Sequence, residues 1–461
     1  MRPVCLNRTS LRRKTTKLHN SKQETTYLYN KELRTVWLVV ISCSIYLLAA
    51  IIAVVHIHTS SCNVVFADMW GFIPIVGRFL AGKGTWSDLW IAHNENRDVI
   101  LTAILIASAK IDHLNVENIK YLSVVFNALL FTVLLRFYVR HRTMPVSYIF
   151  VAFVPVALMV FSISQWENFI MAINVVFCLA VLLIISTTVV VENNGRYVLL
   201  WAIVLSILAT ISSAEGLVVW PLVAIQWGLR REWHRITAYV AVGLIIIMLY
   251  LRDLHQSSGT SYVIHHLVAS LHFFVVVLGN SVIGFFNNRP VMGLDAVVGI
   301  LFLLAGIWTV GQYIGDKAPK TQPQRLAVVL TLFGLGSAAF ITMGRVPMGM
   351  SMAAASRYST LTLGVAIGPY LYFLHRTYSR DRVWVGVILG IIMVGFMAGT
   401  VEEMHMGIYR LAYFQRLQHT AVFGPYSSSA LKPFLWNPAV IRQAIPILKH
   451  YHLNVFWHPS Q

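Results

Sequence analysis

The sequence predicts an all-α, polytopic integral membrane protein with about eleven transmembrane helices, and three observations carry that prediction. Apolar residues make up 57% of the 461 and charged residues only 12%, where a soluble domain typically has about 45–50% and about 25%. The apolar residues are gathered into runs long enough to cross a bilayer. Between the runs, Lys and Arg recur on alternate sides, as the positive-inside bias requires. A soluble enzyme is excluded by this composition, and disorder is excluded by 24 Phe, 19 Tyr and 13 Trp. The excess of 36 Lys and Arg over 18 Asp and Glu reports topology and contact with anionic lipid in such a chain. No nucleic-acid motif is present, so the lipid bilayer is an expected partner and nucleic acid is not.

Taken in order, residues 1–34 form a basic arm with nine Lys or Arg, expected in the cytoplasm. An apolar run at 35–56 follows, longer than a cleavable signal core, and reads as an uncleaved anchor. Ten further spans are expected at 119–138, 146–162, 169–191, 197–212, 216–229, 237–251, 292–314, 326–343, 361–374 and 383–400. Cytoplasmic connections are marked by Arg136, Arg140 and Arg142, by Arg230, Arg231 and Arg235, by Lys317, Lys320 and Arg325, and by Arg376, Arg380 and Arg382. This organisation divides the chain into the arm, a membrane domain at 35–400 and a small outer tail at 401–461. The apolar stretch 267–286 breaks the alternation if it crosses, and is expected as an interfacial or re-entrant element on the outer side. The expected location is the cell's inner (plasma) membrane. Cys43 and Cys178 lie in apolar runs, Cys5 in the arm and Cys62 in a polar loop, so no disulfide framework is implied.

With this topology Glu24, Glu32, Glu192, Glu232, Asp316 and Asp381 face inward, and the other twelve acids lie outside or near outer span ends. Chemistry is therefore expected on the outer face. There is no internal repeat and no matched pair of interrupted helices, the pointer to a secondary transporter.

The long outer loop at 58–98 holds the first candidate, Asp68. Met69, Phe72, Ile73, Val76 and Leu80 recur at helical spacing and Gly82 and Gly84 end the run, which suits a short interfacial helix with Asp68 as its N-cap or as a reactive carboxylate. Trp70, Trp86 and Trp90 fit an aromatic belt. His93, Asn94, Glu95, Asn96, Arg97 and Asp98 then place four ionisable groups within six residues. Arg97 could hold a phosphate and His93 and Asn94 could serve hydroxyls, or the charges could simply pair with one another. Gln165-Trp166-Glu167-Asn168 and Ser212-Ser213-Ala214-Glu215-Gly216 each offer one acid in a turn between spans. Glu167 is the functional candidate of the two, and Glu215 suits a turn. Ser356-Arg357-Tyr358 opens a late span, where an Arg can clamp a phosphate or snorkel to lipid headgroups. Glu402, Glu403 and His405 invite a metal reading, but a second carboxylate–His pair and a His-Glu-x-x-His motif are both missing. No metal ligand set is assigned.

These pieces resemble the GT-C superfamily, polytopic glycosyltransferases that use polyprenyl-phosphate-linked sugars, among them protein O-mannosyltransferases and lipid A aminoarabinose transferases. The opening Asp68-Met69-Trp70, then Arg78-Phe79-Leu80-Ala81-Gly82-Lys83-Gly84, is similar to the family's first outer loop, and Arg357-Tyr358 resembles its Arg-Tyr element. The likeness spans 35–400. It departs from the family where two adjacent acids would stand at Asp68-Met69, and where a Pro-rich stretch would replace residues 93–98. The resemblance implies a membrane glycosyltransferase moving a sugar from a polyprenyl-phosphate donor to an envelope glycan, lipid or protein acceptor. Asp68 would be the base and Arg357, with Tyr358, the phosphate site. His93, Asn94, Glu95, Arg97, Asp98 and Glu167 would bind substrate, with no certain cofactor; in metal-dependent members a divalent cation joins such acids. The rival expectation is a flippase, polymerase, ligase or transporter of polysaccharide assembly.

Overall fold

The computed structural model describes residues 8–92, 96–142, 144–252, 259–283, 292–374, 379–435 and 437–457, with the side chains of 8–31, 260, 283, 292 and 379–382 left aside. The described chain is all-helical, 84% helix without strands. Eight stretches are long and apolar enough to cross a membrane. They coincide with eight of the eleven expected spans. Residues 197–212 and 216–229 form shorter apolar helices, and 361–374 is broken into two.

α1 (Arg8–Ser60) runs unbroken through both the basic arm and the first span. A 3-10 turn at Ala67–Phe72 leads into α2 (Ile73–Leu80), which Gly82 ends in the left-handed region at φ 71°, the usual helix stop for a residue without Cβ. The single turn α3 (Trp86–Leu89) is closed by a capping box between Thr85 and Asp88. α4 (Val99–Ile111) and α5 (Val116–Arg140) follow, α5 being started by Asn115, whose side chain accepts from Glu117 N at 3.1 Å. α6 (Val146–Ala152) and α7 (Val154–Val160) are one apolar segment interrupted ahead of Pro155, which lacks the N–H that would continue the ladder.

α8 (Trp166–Ile170), a 3-10 turn at Ala172–Asn174 and α9 (Val175–Val191) carry the chain back across the bundle. α10 (Val198–Ser212), a 3-10 turn at Ala214–Val218, α11 (Val219–Leu229) and α12 (Trp233–Leu251) come next. α13 (Gly259–His265), α14 (Leu267–Ile283), α15 (Met292–Gly315) and α16 (Gln322–Arg345) precede α17 (Tyr358–Thr362) and α18 (Gly364–Leu374). α19 (Ser379–Phe423), α20 (Ser428–Leu431) and α21 (Pro438–His450) complete the order.

Small residues let the helices approach to backbone distance, the packing mode that replaces the hydrophobic effect in lipid. A Cβ on Gly364 would strike Leu330 O, and one on Gly368 would strike Ala327 O and Thr331, so α18 lies directly on α16. Gly279 and Gly299 do the same for α14 and α15, each facing a carbonyl of the other helix. The stretch 267–286, expected as an interfacial or re-entrant element, forms a regular but short apolar helix over its described part. α14 packs along α15 and also against α16, α17 and α19, with Phe273, Val276, Val277 and Leu278 wholly buried.

The tail is not separate either, since α19 continues past residue 400 without a break. α21 lies on α2, where a Cβ on Gly77 would meet Ile447. Trp70 is fully buried and its ring faces Phe434 at 5.7 Å, so it belongs to the core and not to an aromatic belt. Trp86, at 84% exposure, does face outward. The apolar face expected for 68–82 exists, with Met69, Phe72, Ile73 and Val76 buried, but the C-terminal segment covers it. Asn454 completes this cap: its side chain accepts from Val65 N at 3.2 Å and donates to Asn63 Oδ1 at 2.6 Å and Leu114 O at 3.0 Å.

The opposite end of the bundle is tied by Glu192, fully buried, to which Arg325 donates from Nε at 3.1 Å and Nη2 at 2.9 Å. Gln226 Nε2 adds a bond at 2.8 Å.

Candidate functional site

Two polar clusters lie at the capped end. The first gathers three carboxyl groups from distant parts of the chain. Asp68 stands half-buried in the 3-10 turn after α1, Asp98 directly before α4, and Glu215 in the 3-10 turn between α10 and α11. Asp98 is 9% exposed. Burial, reinforced by the negative charges of Glu215 and Asp68, pushes its carboxyl up to about 8. A carboxyl so placed keeps its proton at neutral pH. Glu215 accepts from its neighbour Ser213 Oγ, so the expected turn role is present along with the contribution to the cluster. Asn96 fastens the two loops together by accepting from Ala214 N at 2.8 Å.

Asp68 is not a helix cap. The turn that holds it starts at Phe66 and has no side-chain cap, and α2 begins five residues later with Pro74 in its first turn.

Arg97 also departs from expectation. Its guanidinium, expected on a phosphate, is spent on main-chain oxygens: at the end of α12 Nε donates to Tyr250 O at 2.7 Å and Nη2 to Arg252 O, and at the end of α3 Nη1 donates to Trp90 O at 2.5 Å. Its Cζ lies 5.1 Å from the centre of the Trp90 ring, and its own N–H donates to Tyr250 Oη at 3.1 Å. Helix-terminal carbonyls carry partial negative charge and attract such a cation. Arg97 is therefore a C-cap for α12 that holds Asp98 in place. His93, Asn94 and Glu95 lie outside the described residues.

Beside this cluster opens an apolar cavity of about 300 Å³, roofed by Trp86, Leu89 and Trp90 and walled by Val99, Ile207, Ile211, Ile246, Leu249 and Tyr250. Val99 adjoins Asp98 in sequence, and Tyr250 lies within electrostatic reach of Asp98 and Glu215. The cavity thus has an apolar lining, with the carboxyl cluster close by.

The second cluster joins α8 to the start of α17. Arg357 Nη1 donates to Glu167 Oε1 at 2.8 Å, and Arg357 N and Ser356 Oγ donate to Glu167 Oε2 at 3.0 and 3.1 Å. Asn168 Nδ2 donates to Arg357 O at 3.0 Å and Thr360 Oγ1 at 2.7 Å, and Thr360 Oγ1 in turn to Gln165 Oε1. Tyr358 is buried, and Arg357 Cζ sits 4.9 Å from its ring centre. Sequence reading singled out Glu167, Arg357 and Tyr358 separately; the structure makes them one unit.

The 3-10 turn bearing Asp68 packs against the turn Ala172–Asn174, and Asn174 Nδ2 donates to Glu167 O at 3.0 Å. The two clusters thus meet through this turn. Sequence reading missed Arg410, whose ion pair with Glu403 lies on α19 beyond the apolar part of that helix. Among the described residues no three His, Cys, Asp or Glu side chains are placed to hold a metal ion. The Glu402–His405 spacing forms no such site.

The sequence matches no protein-family model and no curated protein.

Proposed function

We propose that the protein is a membrane glycosyltransferase that moves a sugar from a polyprenyl-phosphate donor to a hydroxyl-bearing glycan, lipid or protein acceptor at the capped, outer face. The observation that supports this reading is the carboxyl cluster of Asp68, Asp98 and Glu215 close to an apolar cavity. Such a cavity suits a lipid tail, and the cluster suits a sugar with many hydroxyls.

In this reading the acceptor hydroxyl gives its proton to Asp68 as its oxygen bonds to the sugar's C1. The C1–O bond to phosphate breaks, and its electron pair leaves with the phosphate. Asp98 keeps its proton beside Asp68 and donates a hydrogen bond through it to a substrate oxygen, the division of labour that two nearby carboxyls adopt when only one can ionise easily. Arg357 receives the phosphate charge, and Glu167 keeps its guanidinium aligned until the donor arrives. One positioned base contributes about 10²–10⁴-fold, and a cation aimed at the leaving group adds an electrostatic effect of its own.

The test uses purified protein in lipid vesicles with a panel of polyprenyl-phosphate hexoses and of hydroxyl-bearing glycan, lipid and peptide acceptors, reading glycosylated acceptor and free polyprenyl phosphate by mass spectrometry. Wild type should release it with at least one donor, and Asp68→Asn should slow release by about 10²-fold or more. Equal release by wild type and Asp68→Asn removes Asp68 as base. Movement of intact donor between leaflets, without release, favours a flippase.

A further inference from the structure

A second buried ion pair stands beside the site and takes no part in the reaction above. Glu403 and Arg410 lie on one face of α19 with Gly407 between them. Both Nη atoms of Arg410 engage the Glu403 carboxylate, Nη2 at 3.1 Å from Oε1, and the Glu403 side chain is 1% exposed. The guanidinium also lies against the Trp166 ring, with Cζ 4.0 Å from its centre. Trp166 is the first residue of α8 and immediately precedes Glu167.

The close fit of α19 makes this geometry possible. A Cβ on Gly407 would strike Ser60 Oγ at the end of α1, so the glycine lets the two helices approach there with the Ser60 hydroxyl in its present position. Buried ion pairs are seldom the most stable filling of such a position, and apolar residues of like volume often do as well or better. What Glu403 supplies is a fixed orientation for a planar cation, and what the plane supplies is a stack that a Lys ammonium cannot make.

We infer that Arg410 is a positioning residue for the Glu167–Arg357 pair: pinned by Glu403 and stacked on Trp166, it fixes the first turn of α8 and hence the place where Glu167 meets Arg357. The inference rests on the reading of Arg357 as the donor's phosphate site. Without the stack the first turn of α8 loses one of its anchors, Glu167 holds the Arg357 guanidinium less tightly in one pose, and the donor phosphate meets it misaligned more often.

Two measurements test this. In the vesicle assay, Arg410→Lys, which keeps the charge for Glu403 but loses the plane, should raise the donor KM about tenfold, the scale of a desolvated cation–π contact, with kcat within about twofold. Trp166→Leu should match it, and Trp166→Phe should recover most of the loss. The second measurement is independent of activity. In detergent, a double-mutant cycle of Arg410→Lys with Glu167→Gln should give non-additive shifts in Tm, because the two residues act through one helical turn. If Arg410→Lys does not fold, the matched pair Arg410→Gln with Glu403→Gln replaces it, leaving no buried charge alone. Additive shifts, or a donor KM unchanged in Arg410→Lys, overturn the inference. A non-additive cycle in a protein that releases no polyprenyl phosphate supports the positioning and removes the transferase reading.

Discussion

Arg97 Nε donates to the carbonyl oxygen of Tyr250 at 2.7 Å, joining the loop before α4 to the last turn of α12 across more than 150 residues of sequence. Two further carbonyls, of Trp90 and Arg252, complete the cage. Because the guanidinium fork is filled by the protein itself, Arg97 serves stability here. Arg97→Lys keeps the charge but can reach fewer of these oxygens at once. Losing two charge-assisted hydrogen bonds at about 1.5 kcal/mol each should cost about 3 kcal/mol, read as a lower thermal midpoint in detergent. An unchanged midpoint with weakened donor binding would return Arg97 to the phosphate.

Asp98 sets a pH dependence. Its carboxyl is pushed up to about 8 by burial and by Glu215 and Asp68, whereas an unfolded Asp titrates near 3.8. Between these values the folded chain binds a proton that the unfolded chain has released. Its favourable contribution is therefore fully present below about pH 4 and is lost as pH rises through about 8. Asp98→Asn removes this titration while keeping a similar shape. The difference in unfolding midpoint between wild type and Asp98→Asn should shift in favour of the variant from pH 5 to pH 8.5. A constant difference over that range would mean that Asp98 is ionised throughout.

Helical periodicity and apolar length were enough to place eight spans, because they are local properties of the chain. The buried face of Met69, Phe72, Ile73 and Val76 was legible for the same reason. What covers that face was not, since Gly77 meets Ile447 and Trp70 meets Phe434 through contacts that no local pattern encodes. The site shows the same division. Glu167 and Arg357 stand out singly as charges at span ends, but their pairing brings together residues 190 apart. Arg97 looked like a ligand-binding cation because nothing in its neighbourhood announced that the main-chain oxygens of Trp90, Tyr250 and Arg252 would surround it. Glu403 was legible only as part of a metal reading, and its partner Arg410 was missed because the apolar pattern of α19 stops near residue 400 while the helix does not.

Glycines of α18 and α19 should respond unequally to small changes. Gly368 faces Ala327 O and Thr331 of α16, whereas Gly390 of α19 has no neighbour within contact distance of an added Cβ. Gly368→Ala must push two backbones apart and should destabilise by about 1–3 kcal/mol, the usual range for overpacking. Gly390→Ala should be neutral or stabilise by up to about 1 kcal/mol through helix propensity. Matching unfolding midpoints for the two variants would argue that α16 and α18 are not in backbone contact.

The apolar cavity beside Asp98 gives the last prediction. Ile207 and Ile211 line it one turn apart on α10, opposite Leu249 and Tyr250, and neither is bonded to the carboxyl cluster. Ile211→Trp should fill part of the cavity from the wall while leaving Asp68, Asp98 and Glu215 in place. If the cavity holds the donor's hydrocarbon, excluding about two CH₂ groups at about 0.8 kcal/mol each should weaken a long-chain donor about tenfold. A donor analogue with a short chain, too short to enter, should be used equally well by wild type and variant. Measuring release from both donors separates the outcomes: a loss confined to the long-chain donor places the tail in this cavity. Equal losses for both would mean that Trp disturbs the cluster itself, and no loss for either would place the tail elsewhere on the bundle.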